Sequence, residues 1–309
     1  MHPFADDPAR SISALGEAKL IAAIRRWLGD VSPRAPFGVG DDCAVLRPAR
    51  GRQLITVDPV IYGRHFDATV SPREAGAKLL KRNLSDIAAM GGRPVAAVLA
   101  VTLDPRVHVR WLELFYRGLA AAARRYRVAV VGGDLAESPG VVAAGLTLLG
   151  QATGRRILTR TGARAGDWIF VTGELGASRP SGHHLRFAPR LAEGSWLARR
   201  AEVRSMLDVS DGLAKDLPAL TPRGCVAALD AAAVPRRRRA SLRAALTDGE
   251  DYELLFSVAT RTDRAALARA WQKNFPRTRL TCIGRFLAGT APPSGRVRLD
   301  DYRGYEHFR

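Results

Sequence analysis

The sequence predicts a two-domain protein of the α/β (α+β) class, on three observations. Apolar segments of strand length are mixed throughout with longer segments whose apolar residues recur at helical spacing. That pattern stops near residue 150 and starts again near 167. The chain is 309 residues long, which corresponds to about two domains. The expected boundary lies within 148–155, giving domains 1–150 and 151–309.

The elements follow in order. Residues 18–28 carry Leu20, Ile21, Ile24, Trp27 and Leu28 on a helical face, with Gly29 as the stop. Residues 53–58 read as a strand ending in Asp58. Ser71-Pro72-Arg73-Glu74 is a capping box with proline at the first helical position, and its helix should run to Gly91-Gly92. Residues 95–103 form an apolar strand, 109–126 an amphipathic helix, and 127–131 a strand leading into Gly132-Gly133-Asp134. Residues 141–150 close the first half as a strand. In the second half, strands are expected at 167–172, 206–209, 225–229, 253–258 and 280–286, and helices at 211–220, 241–246 and 262–271. Residues 178–194 are rich in Pro, Gly, His and Arg without periodicity, and read as a loop.

Composition narrows the function classes. No run approaches the roughly 20 apolar residues that cross a bilayer, so no membrane span is expected. The opening MHPFADDPAR has no basic segment followed by an apolar one, which argues against export. Cys43, Cys225 and Cys282 have neither zinc spacing nor a disulfide framework, as expected of a reducing cytoplasm. The net charge is +18 and almost entirely arginine, since lysine stands only at 19, 78, 81, 215 and 273. Such a charge could serve nucleic acid, but the arginines are scattered, which favours solvated faces instead. The run Arg236-Arg237-Arg238-Arg239 has no interleaved aromatics for a single-strand platform and reads as an exposed loop. A general positive field still favours anionic substrates such as nucleotides.

Against that background the carboxylates stand out, because they are the minority charge and several sit beside glycine after apolar runs. Gly40-Asp41-Asp42, Val57-Asp58, Ser85-Asp86, Gly132-Gly133-Asp134 and Asp208-Val209-Ser210-Asp211-Gly212 are the main cases. Each has a plain reading as well: a polar turn at Asp42, a strand end at Asp58, a helical acid paired with Arg82 at Asp86, a left-handed turn at Asp134, and a helix cap at Asp208 or Ser210. Jointly they suit a hard cation, because Mg²⁺ takes carboxylate oxygens and completes its shell with water and phosphate. The corner at 208–212 adds the backbone donors of a helix start, which favour phosphate. Gly249-Glu250-Asp251-Tyr252-Glu253 could be an acidic turn before a strand; His65 has a plain reading as a surface or half-buried histidine, and His108, His183 and His184 have no partners at metal-ligand spacing. The chain has no G-x-x-x-x-G-K-[ST] loop, no protein-kinase signature and no G-x-S-x-G elbow, which argues against those enzyme classes.

In this order the segments GVGDDCAVL (38–46), TVDPVIYGRHF (56–66), NLSDIAAMGGRP (83–94), GGD (132–134), LTRTGARAGDWIFVTGELGAS (158–178), LDVSDGLAKDL (207–217), DGEDYELLFSV (248–258) and GYEHF (304–308) resemble the thiamine-monophosphate kinase family. Its superfamily includes aminoimidazole ribonucleotide synthetase and selenophosphate synthetase. The resemblance implies an N-terminal domain whose β-sheet joins that of a second subunit in a barrel, a C-terminal α/β domain, and an active site in the cleft between them. It implies a homodimer that transfers phosphate from ATP to thiamine monophosphate with several Mg²⁺ ions. Asp42, Asp58, Asp86, Asp134, Asp208 and Asp211 would be Mg²⁺ ligands, assisted by Thr56. Gly133, Asp134, Arg160 and Ser210 would contact ATP, and His65, Glu250 and Tyr302 the thiamine substrate. No covalent nucleophile is expected. The chain departs from the family pattern at Val57, where a hydroxyl residue is common, at Leu135-Ala136, and after Ser178, where the segment is shorter. Two further readings stand beside this one: a superfamily relative that phosphorylates or ATP-activates another small substrate, and a basic nucleic-acid-binding protein on a disused kinase fold. The complete aspartate set argues against the second.

Overall fold

The computed structural model describes residues 1–34, 37–39, 43–46, 51–154 and 156–305. The chain divides into two compact units, residues 1–87 with 93–151 and residues 88–92 with 152–309.

The first unit opens with helices α1 (Ile12–Leu15) and α2 (Glu17–Leu28). Strand β1 (Gln53–Ile61) continues past Asp58, so that residue stands inside the strand and not at its end. Helix α3 (Pro72–Ala89) starts at the expected capping box: the Glu74 N–H donates to Ser71 Oγ at 3.3 Å and the Ser71 N–H to Glu74 Oε2 at 3.2 Å. Strand β2 (Gly92–Leu103) leads to helix α4 (Val109–Tyr126), whose N-terminus is capped by His108 accepting the Arg110 N–H. Strands β3 (Ala129–Glu137) and β4 (Val142–Ala152) follow. The expected strand at 127–131 thus runs on through Gly132-Gly133-Asp134, which is extended and not a left-handed turn.

These four strands form one sheet in the order β1-β4-β2-β3, with β1 antiparallel to β4 and β2 parallel to β3. Burial alternates along β4, as expected where one face is covered. Trp111, Leu112 and Phe115 of α4 meet Val60, Val101 and Val142 of the sheet. Leu79, Leu80 and Leu84 of α3 are fully buried, each removing roughly 1.5–3 kcal/mol worth of apolar surface from water. The two helices approach closely because each brings a glycine to the crossing. A Cβ at Gly76 would overlap the Phe115 carbonyl, and one at Gly118 the Arg73 carbonyl. The opposite sheet face is bare: Ile55 is 71% exposed and Val57 64%, with Val98 of β2 also open.

The second unit contains β5 (Trp168–Thr172), α5 (His183–Arg186), α6 (Leu191–Leu197), β6 (Val203–Val209) and α7 (Leu213–Asp216). It continues with β7 (Cys225–Leu229), α8 (Leu242–Thr247), β8 (Glu253–Val258), α9 (Arg264–Asn274) and β9 (Leu280–Ala288). The sheet order is β6-β8-β5-β9-β7, and every neighbouring pair is antiparallel. Ile169, Val171, Leu207, Val209 and Leu255 pack on one face with Leu213 and Leu217. Phe170, Met206, Leu254 and Phe256 alternate with them and pack on the other with Leu267 and Trp271.

Two sequence expectations change here. Residues 178–194 are not a plain loop but include α5 and the start of α6. Helices this short show no period, and tertiary contacts hold them: the His183 ring of α5 bonds the Asp251 carbonyl at 3.0 Å, and at α6 Arg190 donates to Glu253 at 2.7 Å and Thr278 Oγ1 to Glu193 at 2.9 Å. The helix expected over 211–220 is α7 followed by a 3₁₀ turn, Leu217–Leu220, where Pro218 removes an α-helical donor.

Candidate functional site

In the first unit, β1 and α3 bring three of the expected metal ligands to one place. Alternation along β1 points Thr56 and Asp58 toward α3 and Val57 toward the bare face. Thr56 Oγ1 donates to Asp86 Oδ2 at 2.5 Å, and Arg82 Nη2 meets Asp58 Oδ1 at 3.3 Å. Arg82, the cation expected beside Asp86 on α3, thus reaches Asp58 on the neighbouring strand. His65 is buried in the turn after β1. Its Nδ1 accepts the Ile61 N–H at 3.1 Å, and its carbonyl accepts from buried Lys78 at 2.9 Å.

Gly133 and Asp134 stand on β3, the far edge of the same sheet, with β4 and β2 between them and β1. Gly133 pairs with Leu99, and a Cβ there would overlap the Leu99 carbonyl, so only glycine fits this strand. Beside it lies a cavity of about 290 Å³ whose walls include Ile21, Ile24 and Leu28 of α2, Leu99, and Tyr116 of α4, with Gly132, Gly133 and Asp134 at its margin. Burial pushes the Tyr116 phenol above its ordinary range. Nothing in the sequence pattern marks Tyr116 for this role, because it occupies an ordinary apolar position of an amphipathic helix.

The second unit assembles three distant motifs around one corner. Asp208 is buried near the end of β6, and Ser210 and Asp211 follow between β6 and α7. The Ser210 carbonyl accepts the Glu250 N–H at 2.7 Å, and the Asp211 carbonyl accepts the Tyr305 N–H at 2.9 Å. Lys215 ion-pairs with Asp211 at 3.2 Å and donates to the Tyr305 carbonyl at 2.5 Å. The GEDYE and GY segments thus flank the DVSDG turn from two sides. Asp216 accepts the N–H groups of both Ser210 and Asp211 at 3.0 Å. Burial, then the charges of Asp208 and Asp211, push its carboxyl up to about 7 against the pull of those donors.

Glu250 sits in a tight loop before β8, with its side chain paired to Arg179 at 2.9 Å. Tyr302 rests partly buried against the β7–α7 core, with Arg243 over its ring, while Tyr305 is the tyrosine brought to Asp211. Arg160 is exposed in the segment that runs beside β6. Asp42 and residues 306–308 lie outside the described residues. His183 and His184 serve as structural hydrogen-bonders to the carbonyls of Asp251 and Ser178, and His108 as a cap.

Among the described residues, no group of three or more His, Cys, Asp or Glu is placed to hold a metal ion by itself. The carboxylates come instead in small oxygen-only sets, and the charges of Asp208 and Asp211 both bear on Asp216. Mg²⁺ is commonly held by one or two carboxylates with phosphates and water completing the shell, so the residues present fit it.

Comparison with known proteins places these features. Residues 40–155 match the family described as AIR synthase related protein, N-terminal domain. A thiamine-monophosphate kinase of Salmonella typhimurium is 34% identical over 329 aligned positions, covering 96% of this chain and 99% of that protein. The crystal structure of the thiamine-monophosphate kinase from Stenotrophomonas maltophilia is 32% identical, covers 90% of this chain and 96% of its own, and superposes with a TM-score of 0.73. A structure of AaThiL complexed with AMPPCP and TMP is 28% identical, covers 96% of this chain and 98% of its own, with a TM-score of 0.71.

Proposed function

The chain belongs to the thiamine-monophosphate kinase family, and from that premise we propose how its residues serve the family's reaction. It transfers the γ-phosphoryl group of ATP to the phosphate of thiamine monophosphate, giving thiamine diphosphate and ADP. The observation that carries the assignment of residues is the convergence of 208–211, 249–250 and 304–305 on one corner.

Thr56, Asp58, Asp86, Asp134, Asp208 and Asp211, with Asp42, would hold Mg²⁺. The ion they hold would supply positive charge against the phosphates of the two anionic substrates. Ser210, Gly133, Asp134 and Arg160 contact ATP. The cavity beside Gly133 suits the nucleotide base, since Ile21, Ile24, Leu28, Leu99 and Tyr116 give it an apolar lining and Glu17 and Asp134 add polar groups. His65, Glu250 and Tyr302 contact thiamine monophosphate. The acceptor is already an anionic oxygen, so no strong base and no phosphoenzyme are needed; positioning and charge neutralisation carry the reaction.

The working form is a homodimer in the cytoplasm. Edge strands β1 and β3 and the bare apolar face of the first sheet support the dimer, because closing two such sheets into a barrel removes both edges and covers that face. Setting β3 of one copy next to β1 of the other would also let Asp134 join the Thr56–Asp58–Asp86 group. Cys43, Cys225 and Cys282 are free thiols, in keeping with a reducing compartment.

The test is a Mg²⁺-dependent assay with ATP and thiamine monophosphate beside thiamine and other phosphate monoesters. Thiamine diphosphate should form only from thiamine monophosphate and only with Mg²⁺. Asp211→Asn should lower the rate by about a hundredfold or more, the scale of losing a group that stabilises transition-state charge, with an unchanged circular dichroism spectrum. No product from thiamine monophosphate would sink the activity, and unchanged turnover in the variant would sink the metal role.

A further inference from the structure

The loop 248–252 has an unusual backbone. Gly249, Glu250 and Tyr252 all have positive φ, at +69°, +55° and +52°. Left-handed backbone is uncommon for non-glycine residues and persists where the surroundings over-determine it. Here the surroundings come from a second loop, residues 174–178, which follows β5. The Ala177 N–H donates to Asp248 at 2.8 Å, and Ser178 Oγ donates to the Glu250 carbonyl at 2.7 Å. Between these ties sits Asp251, whose side chain is fully buried and accepts the Gly176 N–H on both oxygens, at 3.0 and 3.1 Å.

The cation that answers Asp251 is Arg237. Its Nη1 meets Asp251 Oδ1 at 2.8 Å and also donates to the Gly176 carbonyl, while Nη2 donates to the Glu174 carbonyl at 2.6 Å. Only 11% of its side chain is exposed, whereas Arg236, Arg238 and Arg239 are exposed. The arginine run expected as a solvated loop therefore contains one residue set apart from the rest. The planar fork of a guanidinium lets one side chain grip a carboxylate and two carbonyls at once, which an ammonium cannot reproduce.

We propose that Arg237 is a positioning residue for thiamine monophosphate: by clamping Asp251 to the 174–176 backbone, it fixes the Glu250 loop in its substrate-binding conformation. The proposal rests on the reading of Glu250 as a substrate contact. The chain of cause is short. Arg237 holds Glu174 and Gly176, the 174–178 loop holds Asp248 and the Glu250 carbonyl, and Asp251 locks the peptide that follows Glu250. The Glu250 N–H is tied to the Ser210 carbonyl, a backbone bond that does not involve Arg237 and holds the ATP corner without it. Without Arg237, a buried carboxylate loses its cation and the two loops lose their shared anchor.

The experiment measures KM for each substrate and kcat in Arg237→Met, Arg237→Lys, Glu250→Gln and the double variant Arg237→Met/Asp251→Asn, with thermal stability alongside. Arg237→Met should raise KM for thiamine monophosphate by about tenfold or more and leave KM for ATP within about twofold, as expected for an interaction used in binding one substrate. Arg237→Lys should fall between it and the parent. The double variant removes both buried charges, so it should regain stability relative to Arg237→Met while keeping the raised KM. If the single variant does not fold, the double variant carries the same test. Equal shifts for the two substrates, or a KM restored together with stability, would overturn the positioning role. A raised KM in Glu250→Gln with an unchanged KM in Arg237→Met overturns that role alone. An unchanged KM in Glu250→Gln overturns the reading of Glu250, and the proposal with it.

Discussion

At the scale of single residues, the same side-chain type takes different roles according to its neighbours. Asp58 and Asp251 are both carboxylates paired to arginine, yet one is half-exposed beside Thr56 and Asp86 and the other is sealed inside a loop clamp. Burial pushes the Asp251 carboxyl up to about 6 even with Arg237 and the Gly176 N–H pulling it down. Tyr116 shows the reverse of a motif residue. It has no signature, but it stands against the cavity that opens beside Gly133. Replacing it with leucine should raise KM for ATP several-fold, about the loss of one aromatic packing contact, and leave KM for thiamine monophosphate unchanged. Steady-state titration of each substrate checks this, and a shift in the thiamine monophosphate KM alone would refute it. The expected split is the opposite of that for Arg237→Met.

At the scale of elements, the strand ends are held by charge as much as by the ladder. Asp104 follows β2, is 1% exposed, and accepts the Arg106 N–H at 2.8 Å, the Gly140 N–H at 2.6 Å and the Arg106 guanidinium at 2.8 Å. It ties the end of β2 to the turn between β3 and β4. These donors, the Arg106 side chain first, hold its carboxyl well below the usual carboxylate range. A depressed folded-state value means the group stabilises the fold above its unfolded value of about 3.9 and loses that contribution as pH falls below it. Asp104→Asn should therefore cost about 2 kcal/mol near neutral pH, the scale of charge-assisted hydrogen bonds, and the gap to the parent should narrow below about pH 4. Urea unfolding of both proteins across pH 3–7 measures it, with a pH-independent gap as the contrary outcome.

Elements also show where sequence reasoning reaches. The capping box at Ser71–Glu74 was legible because its chemistry is local. The extension of β3 through Gly132-Gly133-Asp134 was not, because glycine pairs read as turns unless a neighbour's carbonyl demands them. α5 and α6 were missed for a related reason: the partners that hold them, Asp251 for α5 and Glu253 and Thr278 for α6, are far away in sequence.

At the scale of the whole molecule, the sheet of the first unit ends, among the described residues, at β1 and β3 and carries an apolar face bearing Ile55, Val57 and Val98. A face of that kind marks an interaction surface. Lysine at both Ile55 and Val57 points away from α3 and should leave the fold of the unit intact while converting a dimer to monomer and lowering kinase activity. Sedimentation or light scattering with a parallel assay checks this; a dimer that persists at full activity would refute the proposed interface.

The sequence by itself determined the α/β character, most helices and strands, and the order of carboxylate motifs, because period, caps and glycine-flanked aspartates are local properties. It also carried the family, through motifs spread from GVGDDCAVL to GYEHF. Only the tertiary structure decided which aspartate pairs with which cation, that Tyr305 and not Tyr302 meets Asp211, and that Arg237 alone of its run is held inside. Those outcomes depend on which loops a sheet brings together, and no local pattern records a contact between residues 174, 237 and 251.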